Sequence, residues 1–367
     1  MGIALYIHIP FCTRKCGYCS FFSISHNFEL ENKYCTSLVQ EIRGYEAQNI
    51  NIDTIYFGGG NPALLNPGHL KIILEVIRES FIFEQKPEIT LEANVENLEE
   101  KKLDSYKKMG INRLSVGIQS FDAEKLKILG RHRTVEPYAI LNKVLAEFNN
   151  VSLDLIYAIP SQTAEDVAAD INSIPEQVKH VSYYSLMLEK GTELYSRYKK
   201  GTIKLLSENE ELKMQQTIIK ELKIRKLSRY EISNFALKGY ESRHNLHYWR
   251  YDEYLGVGAG AVSTLNHTRL ENVRDIQKYI NGQRLLKKYK LNTKTREKEF
   301  LMMNLRLIKG FELQQYGDNF QANFKIKYKK FINKYFKYLS LSKEKLAFNS
   351  KGLNIYNLLM SELFIEV

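Results

Sequence analysis

The sequence predicts an α/β protein: an incomplete, TIM-like (βα)6 barrel followed by a small, mostly helical C-terminal domain. Short apolar runs alternate with longer amphipathic stretches, which is the periodicity of repeated βα units. The chain of 367 residues is long enough for one barrel-sized domain and a smaller appendage. Cysteine, glycine and acidic residues follow the apolar runs, and barrels of this kind place their reactive groups at the carboxyl ends of the strands.

The first half of the chain contains six apolar runs that predict strands, at residues 3–9, 54–57, 88–93, 113–119, 152–157 and 181–188. The amphipathic stretches between them predict helices at residues 29–48, 68–80, 99–109, 136–148 and 165–174. Asn66-Pro67 marks one helix start, because an asparagine N-cap is followed by proline at the first helical position. Residues 1–190 therefore form the predicted barrel.

The periodicity changes after the sixth strand. Residues 191–290 form a middle block that packs on the barrel and contains a long predicted helix at 208–226. Residues 291–367 form the predicted C-terminal domain, which is helical at first and strand-like at 346–355. The lysine-rich stretch from Lys325 to Lys345 is predicted to be an amphipathic helix with a solvated lysine face.

The composition of the chain limits which binding partners and which cellular location we expect. The formal net charge is +11 and the sequence pI is about 9.2, but the excess of lysine is spread along the chain. We therefore expect no nucleic-acid partner, and transient contact with the inner face of a membrane remains open. No apolar run approaches the ~20 residues of a bilayer span and no leader is evident, so a cytoplasmic location is expected, where thiols stay reduced.

Three of the four cysteines, Cys12, Cys16 and Cys19, have C-x3-C-x2-C spacing directly after the first predicted strand. Three thiolates can each bind one iron of a [4Fe–4S] cluster, which leaves the fourth iron open to a small molecule. Pro10 and Gly17 favour a loop around such a cluster over a straight helix. Two other interpretations are a structural zinc site, in a regulatory or RNA-associated protein, and neighbouring buried thiols. Zinc usually takes a further nitrogen or sulfur ligand at similar spacing, and none follows.

Other polar residues have ordinary structural explanations when each is considered alone. Cys35 and His8 are interpreted as buried structural residues, and Gly58-Gly59-Gly60 could be only a turn. A carboxylate closes the third strand, an amide ends the fourth and a second carboxylate lies in the fifth, and together they suggest contacts to a polar nucleoside. These three residues are Glu92, Gln119 and Asp154.

These segments resemble the radical S-adenosylmethionine (SAM) family, in the branch of oxygen-independent coproporphyrinogen oxidases and related heme chaperones. The resemblance rests on the segment from Tyr6 to Cys19, the glycine loop, Ser115 to Phe121, and Leu129-Gly-Arg131. It continues through Asp154 to Thr163, with Ala158 in place of a family glycine. The resemblance also implies that the C-terminal domain is winged-helix-like. The resemblance implies that the three cysteines hold a [4Fe–4S] cluster. It implies that the SAM contacts are Tyr6, Tyr18, Gly59, Gly60, Asn61, Glu92, Gln119, Arg131 and Asp154, with Asn61 where relatives commonly have threonine.

The middle block contains His244-Asn-Leu-His247-Tyr-Trp249, which resembles the family's H-N-x-Y-W element. The resemblance implies that His244 binds heme, since a neutral imidazole is a good axial ligand for heme iron. In the alternative, His244 and Asn245 form hydrogen bonds within the fold and the aromatic residues pack around them. His247 occupies a variable position of this element, so the resemblance implies no role for it.

Two differences between this chain and the oxidases favour a resemblance to the chaperones. The oxidases have a fourth cysteine where this chain has Phe21, and they carry an N-terminal extension, whereas Tyr6 lies near the start of this chain. The resemblance therefore implies a heme chaperone that binds a [4Fe–4S] cluster, SAM and heme. The partners it implies are acceptor hemoproteins, some of them at a membrane, and a second copy of the chain in a homodimer. The alternative is a coproporphyrinogen III oxidase.

Overall fold

A computed structural model of the chain describes residues 2–131 and 133–366. Its centre is a twelve-stranded sheet in which six parallel strands lie side by side in chain order, so the predicted fold class is confirmed. In the described residues the strand order does not close on itself, as an incomplete barrel requires. The six strands are β1 (Ile3–Ile9), β2 (Asn51–Gly59), β3 (Ile82–Asn94), β4 (Arg113–Gln119), β5 (Val151–Tyr157) and β6 (His180–Ser185).

The sheet also extends beyond β1 into the middle block. A seventh parallel strand, β7 (Tyr254–Val257), pairs with β1, and its Leu255 lies opposite Leu5. Three antiparallel strands continue this edge, and two short antiparallel strands extend the β6 edge. The sequence did not predict β7 or these five antiparallel strands, because they are short and because Gly256 and Gly258 weaken the β pattern in and directly after β7. The five antiparallel strands are Val262–Leu265, Thr268–Asn272 and Leu285–Lys290 beside β7, and Asn234–Ala236 and Ser228–Arg229 beside β6.

The connections between the parallel strands contain the predicted helices, with boundaries shifted by a few residues. The first helix ends five residues earlier than predicted, at Arg43, and Gly44 caps it. Four helices of five to seven residues, too short for a periodic signal, were not predicted. The helices through the middle block are α1 (Phe28–Arg43), α2 (Pro67–Ser80), α3 (Glu100–Lys108), α4 (Ala123–Ile128), α5 (Pro137–Glu147), α6 (Ala164–Asn172), α7 (Glu193–Lys199), α8 (Glu208–Ile224), α9 (Arg243–Trp249) and α10 (Ile276–Ile280).

The two faces of the six-stranded half-barrel differ in chemistry. Apolar residues alternate along each strand and form one large core with the helices, for example Leu5, Phe57 and Leu153. The intervening residues are often polar and are neighbours across strands, as in the pairs Thr54–Glu88 and Asp154–Ser182. The concave side of the sheet therefore presents a polar lining, which leads to the carboxyl ends of the strands.

Residues beyond 290 pack around a second apolar core with a three-stranded antiparallel sheet of Phe311–Glu312, Leu339–Leu341 and Lys345–Phe348. The continuous helix predicted from Lys325 to Lys345 is wrong. It breaks at Tyr328, whose hydroxyl is anchored by Glu297, and gives way to a strand at Leu339. The helices here are α11 (Thr293–Asn304), α12 (Leu313–Phe320), α13 (Phe324–Lys327), α14 (Lys329–Tyr335), α15 (Ser350–Asn354) and α16 (Tyr356–Ile365).

The strand predicted at 346–355 ends early, at Phe348, because Asn349 accepts a hydrogen bond from Gly352 N and starts α15. Across the described part of the chain, no helix combines the length and apolar character that a bilayer span requires.

Candidate cofactor site

The three cysteines lie in a loop that leaves the carboxyl end of β1. Cys12 belongs to a two-residue strand that pairs with Ile24–Ser25, and its carbonyl accepts a hydrogen bond from His26 N. Between them, Gly17 N donates to the carbonyl of Leu129 at 2.9 Å. The loop is thus fixed at its base and at its tip, and all three cysteines are half-buried.

The electrostatics of the loop are unfavourable for free thiolates. Burial raises the pKa of Cys12 to about 11, and the neighbouring Cys19 and Cys16 add to the effect. Burial likewise raises the pKa of Cys19. A group that binds all three sulfurs must therefore supply positive charge to replace the protons, and iron in a cluster does so. The three-thiol donor set fits a [4Fe–4S] cluster with one open iron.

The glycine loop after β2 packs directly against the cysteine loop. Gly60 N donates to Ile9 O at 2.8 Å, and Asn61 N donates to Phe11 O at 2.7 Å. The Asn61 side chain is 1% exposed; its Nδ2 donates to Asn97 Oδ1 and its Oδ1 accepts from Asn94 N. Asn61 therefore joins the loop after β2 to the end of β3.

Gly59 has a φ of +110°, and a Cβ added there would lie 2.5 Å from Cε1 of His8. We expect Gly59→Ala to lower the free energy of unfolding by several kcal/mol, because left-handed strain and a steric clash combine, each on the order of 1–3 kcal/mol. Gly282→Ala is the matched control, since Gly282 also has a positive φ of +85° but open space around it. Urea unfolding of both variants measures the difference. Equal losses would show that the His8 contact is unimportant.

Glu92 lies at the carboxyl end of β3, on the polar lining. Its Oε1 accepts a hydrogen bond from the Tyr56 hydroxyl at 2.7 Å, and its Oε2 accepts one from Gly59 N at 3.3 Å. Burial raises the pKa of Glu92 to about 7 despite these hydrogen bonds. A buried carboxyl group that can change its charge near neutral pH is suited to bind a polar or cationic ligand.

Asp154, Gln119 and Arg131 lie on the neighbouring strands and the loop after β4. Asp154 accepts hydrogen bonds from Ser115 and Ser152, and burial raises its pKa. Gln119 ends β4 with a φ of +65°. Arg131 is buried. It donates to Gly117 O at 2.8 Å and to an asparagine on β3, Asn94.

Two tyrosines predicted as contacts lie near the cluster cysteines: Tyr6 on β1 and Tyr18 within the cysteine loop. The Tyr6 hydroxyl lies 3.1 Å from Nδ1 of His8, whose Nε2 is 2.9 Å from the carbonyl of Phe22. Burial lowers the pKa of His8 to about 4, so the ring is neutral; Nε2 donates to Phe22 and Nδ1 accepts from Tyr6. Burial raises the pKa of Tyr18, which lies beside Cys16 and Arg131. Both tyrosines are therefore neutral hydrogen-bonding groups.

His244, on α9, is deeply buried on the same polar lining, with 1% of its surface exposed. Its Nδ1 is 2.8 Å from the Thr54 hydroxyl, its Nε2 is 3.1 Å from the Tyr248 hydroxyl, and its ring stacks on Tyr56. Burial lowers its pKa well below the ordinary value, so the imidazole is neutral. Tyr56 therefore connects His244 to Glu92.

A cavity of about 730 Å³ opens beside α9, between the sheet and the C-terminal helices. Tyr248 lines this cavity and also holds Nε2 of His244. The remaining wall combines aromatic and thioether side chains, such as Trp249, Phe300, Met302 and Met303, with charged side chains of both signs, such as Arg269 and Glu299. Its volume and mixed lining are typical of sites for an apolar ligand with charged substituents.

His247 has a structural role that the sequence did not indicate. Its Nδ1 lies 3.1 Å from Asp252 Oδ2 and its Nε2 lies 3.0 Å from Asp53 Oδ2. Burial opposes protonation, but the hydrogen bonds to Asp252 and Asp53 outweigh it and raise the pKa of His247. The ring therefore links α9 to the start of β2 through two carboxylates.

This ion pair predicts a pH-dependent contribution to stability. Because the folded-state pKa is raised, His247 stabilises the fold fully below its unfolded-state pKa and loses that contribution as the pH rises through the folded-state value. We expect His247→Gln to lower the free energy of unfolding more at about pH 5.5 than at about pH 9. Urea unfolding at the two pH values tests this. The exposed His267 provides the control variant His267→Gln, and a parallel pH profile in both variants would refute the assignment.

Several residues of the site were missed from the sequence. Tyr56 donates a hydrogen bond to Glu92, Asn94 accepts one from Arg131, and Glu88 accepts one from the backbone N–H of His244. The sequence did contain a signal for these residues, because polar residues at alternate positions of a buried strand indicate a polar face of the sheet. Thr54, Tyr56 and Gly58 on β2, and Glu88 to Asn94 on β3, follow this pattern.

The chain was compared with known proteins. The sequence profile of the Radical SAM superfamily matches residues 6–174. The heme chaperone HemW of Lactococcus lactis subsp. lactis (strain IL1403) is 32% identical, over 98% of this chain and 97% of that protein. The heme chaperone HemW of Bacillus subtilis (strain 168) is 32% identical, over 86% of each chain.

Among solved structures, the Escherichia coli coproporphyrinogen III oxidase HemN, described as a radical SAM enzyme, superimposes with a TM-score of 0.82. The superposition covers 98% of this chain and 89% of the oxidase at 22% identity, which shows that the two folds are alike.

Proposed function

Because the chain belongs to the family of radical SAM proteins that includes the heme chaperone HemW, we propose that it binds a [4Fe–4S] cluster, SAM and heme and delivers heme to acceptor hemoproteins. The main supporting observation is the meeting of the cysteine loop with the glycine loop and Glu92 at one edge of the sheet. The proposed setting is the cytoplasm, at the inner face of the membrane where an acceptor is membrane-bound, and a homodimer is the proposed assembly.

Cys12, Cys16 and Cys19 are the proposed cluster ligands. The loop supplies three sulfurs, which suits a cluster in which each sulfur binds a different iron, whereas a zinc site usually takes a further nitrogen or sulfur ligand at similar spacing. Phe21, at the position of the oxidases' fourth cysteine, is 63% exposed and has no ligand atom.

SAM is proposed to bind across the carboxyl ends of β1 to β5. When bound at the open iron, it would supply either a ligand that completes the cluster or, on reduction, a source of radical chemistry. Glu92 would accept hydrogen bonds from its charged or hydroxyl groups, and the close backbone approach at Gly59 and Gly60 would leave room for it. The other proposed contacts are Tyr6, Tyr18, Asn61, Gln119, Arg131 and Asp154.

Heme is proposed to occupy the cavity beside α9 with His244 as its axial ligand. The neutral imidazole is in the protonation state that iron requires. Its Nε2 is held by Tyr248, which lines the cavity, so binding must displace the Tyr248 hydroxyl and expose the ring. Trp249 and Met302 would contact the macrocycle, and Arg269 would pair with a propionate.

A hemin titration tests this proposal. We expect stoichiometric binding by the parent protein and an affinity about tenfold lower or more in His244→Ala, because the axial bond is lost. His267→Ala is the control, since His267 also lines the cavity and carries no proposed role. Transfer of the bound heme to an apo-hemoprotein should follow. Unchanged heme affinity in His244→Ala, or its loss in His267→Ala instead, would overturn the ligand assignment.

A second candidate function is oxidation of coproporphyrinogen III. The polar concave lining, from Glu92 through Tyr56 to His244, could accept a carboxylated substrate, and the fold matches that of the oxidase. Anaerobic incubation of the reconstituted protein with reductant, SAM and coproporphyrinogen III separates the two functions. Accumulation of protoporphyrinogen would establish the oxidase, and its absence together with heme transfer would establish the chaperone.

A further inference from the structure

A second group of metal-binding residue types lies between α1 and α2, outside the proposed cofactor site. Glu31 and Cys35 are one turn apart on α1, and His69 lies in the first turn of α2. One ligand atom from each residue lies within 4.8 Å of those of the other two. In the described residues this is the one group of histidine, cysteine and acidic side chains that converges this closely.

The group is organised around the Glu31 carboxylate. Its Oε1 accepts hydrogen bonds from His69 Nδ1 at 2.6 Å and Asn66 N at 2.8 Å. Its Oε2 accepts one from His26 Nε2 at 2.5 Å, which adds a second imidazole to the group. Glu31 is 1% exposed and Cys35 is 5% exposed. The two histidines are partly accessible, so an ion could enter from their side.

Hydrogen bonding alone accounts for the arrangement of the Glu31 carboxylate and the two histidines, but it does not account for the position of the Cys35 thiol. In the described part of the chain, no hydrogen bond reaches the Cys35 sulfur, although it lies beside a buried negative charge. Burial and the Glu31 charge both raise the pKa of Cys35. A cation between the Cys35 sulfur, the Glu31 carboxylate and the His69 imidazole would satisfy these three groups at once.

We propose that Glu31, Cys35 and His69 bind a divalent cation of the zinc class, while His26 keeps its hydrogen bond to Glu31. One sulfur, one imidazole nitrogen and one carboxylate oxygen form a three-ligand set that suits Zn²⁺ with water as the fourth ligand and disfavours Mg²⁺ or Ca²⁺, which take oxygen ligands. Binding would release the Cys35 proton, and His69 would carry its hydrogen on Nε2 so that Nδ1 binds the metal.

The ion would have a structural task at this position. His26 N donates to the Cys12 carbonyl, and the His26 ring packs edge-on against Phe11. Asn66, whose N–H binds Glu31, follows the glycine loop. A bound ion would therefore clamp α1 and α2 together directly behind both loops of the proposed cofactor site.

Metal analysis of the full-length chain tests this proposal. After incubation with Zn²⁺ and removal of excess metal, we expect about one zinc per chain in the parent and in the Cys12→Ala/Cys16→Ala/Cys19→Ala variant. Cys35→Ser and His69→Gln should each lower the zinc content or affinity about tenfold or more, while the control His267→Gln should not change it. Zinc loss in the triple-cysteine variant, or full retention in both Cys35→Ser and His69→Gln, would overturn the proposal.

A spectroscopic measurement covers the case in which a ligand variant fails to fold. In the triple-cysteine variant Cys35 is the remaining thiol of the four cysteines, so Co²⁺ added to it should produce tetrahedral ligand-field bands and a sulfur-to-cobalt charge-transfer band. Addition of Zn²⁺ should remove both. Octahedral cobalt bands without the charge-transfer band would show that Cys35 is not a ligand and would end the proposal.

Discussion

Replacing Cys16 with alanine is expected to abolish cluster assembly: iron should fall from about four per chain to less than about one after anaerobic reconstitution. Cys16 lies at the centre of the three-sulfur loop, between Cys12 and Cys19, and two sulfurs would leave two irons open. The visible absorption of the cluster should disappear with the iron, and SAM binding should be lost because the open iron is lost. Iron and sulfide analysis, together with absorption spectra, measures the effect.

Cys35→Ala is the matched control, since it removes the remaining thiol of the chain from a different place in the fold. We expect it to retain the full iron content. If both variants retained iron, the cluster assignment would fall. If both lost it, the loop and the α1–α2 group would have to act together, and thermal unfolding of each variant would distinguish misfolding from the loss of a ligand.

Replacing Glu92 with glutamine is expected to weaken SAM binding by about tenfold or more, because the amide is nearly isosteric but cannot accept hydrogen bonds as an anion. The parent protein should also bind SAM more tightly as the pH rises through about 7, where burial has placed the pKa of Glu92. The variant should lack this pH dependence. Equilibrium dialysis with the reconstituted protein at several pH values measures both effects.

As the pH rises, the stability of the parent protein should change in the opposite direction to its affinity for SAM. The pKa of Glu92 is raised on folding, so the native state keeps the proton while the unfolded chain releases it, and stability falls as the pH rises from the ordinary carboxyl range toward about 7. Glu92→Gln removes this loss and should be as stable as the parent or more stable at neutral pH. Weaker SAM binding by a less stable variant would indicate misfolding and would contradict the proposed contact.

The sequence was most informative where long buried strands carry alternating residues. The boundaries predicted for β1 and β4 match the structure, and the carboxyl-end rule placed Glu92 and Asp154 on the polar side of one sheet. A period of two residues depends on the local strand and can be detected without knowledge of its neighbours. The same local pattern could have predicted Tyr56, which lies two residues before Gly58.

Features created by contacts distant in sequence could not be predicted in this way. β7 is four residues long, and its place is set by pairing with β1 at the other end of the barrel. The lysine-rich segment has helical periodicity but is interrupted where Glu297 binds Tyr328. The group of Glu31, Cys35 and His69 forms because α1 packs on α2, and Cys35 alone resembles an ordinary core cysteine.

The pairing of β7 with β1 has a consequence for biosynthesis. A ribosome that has made the cysteine loop must add more than half of the polypeptide before Tyr254–Val257 can cover the open edge of Ile3–Ile9. Until then the first strand has a single hydrogen-bonded neighbour, and its apolar residues are held less firmly. The nascent chain therefore acquires a finished binding loop late, and metal loading should follow translation rather than accompany it.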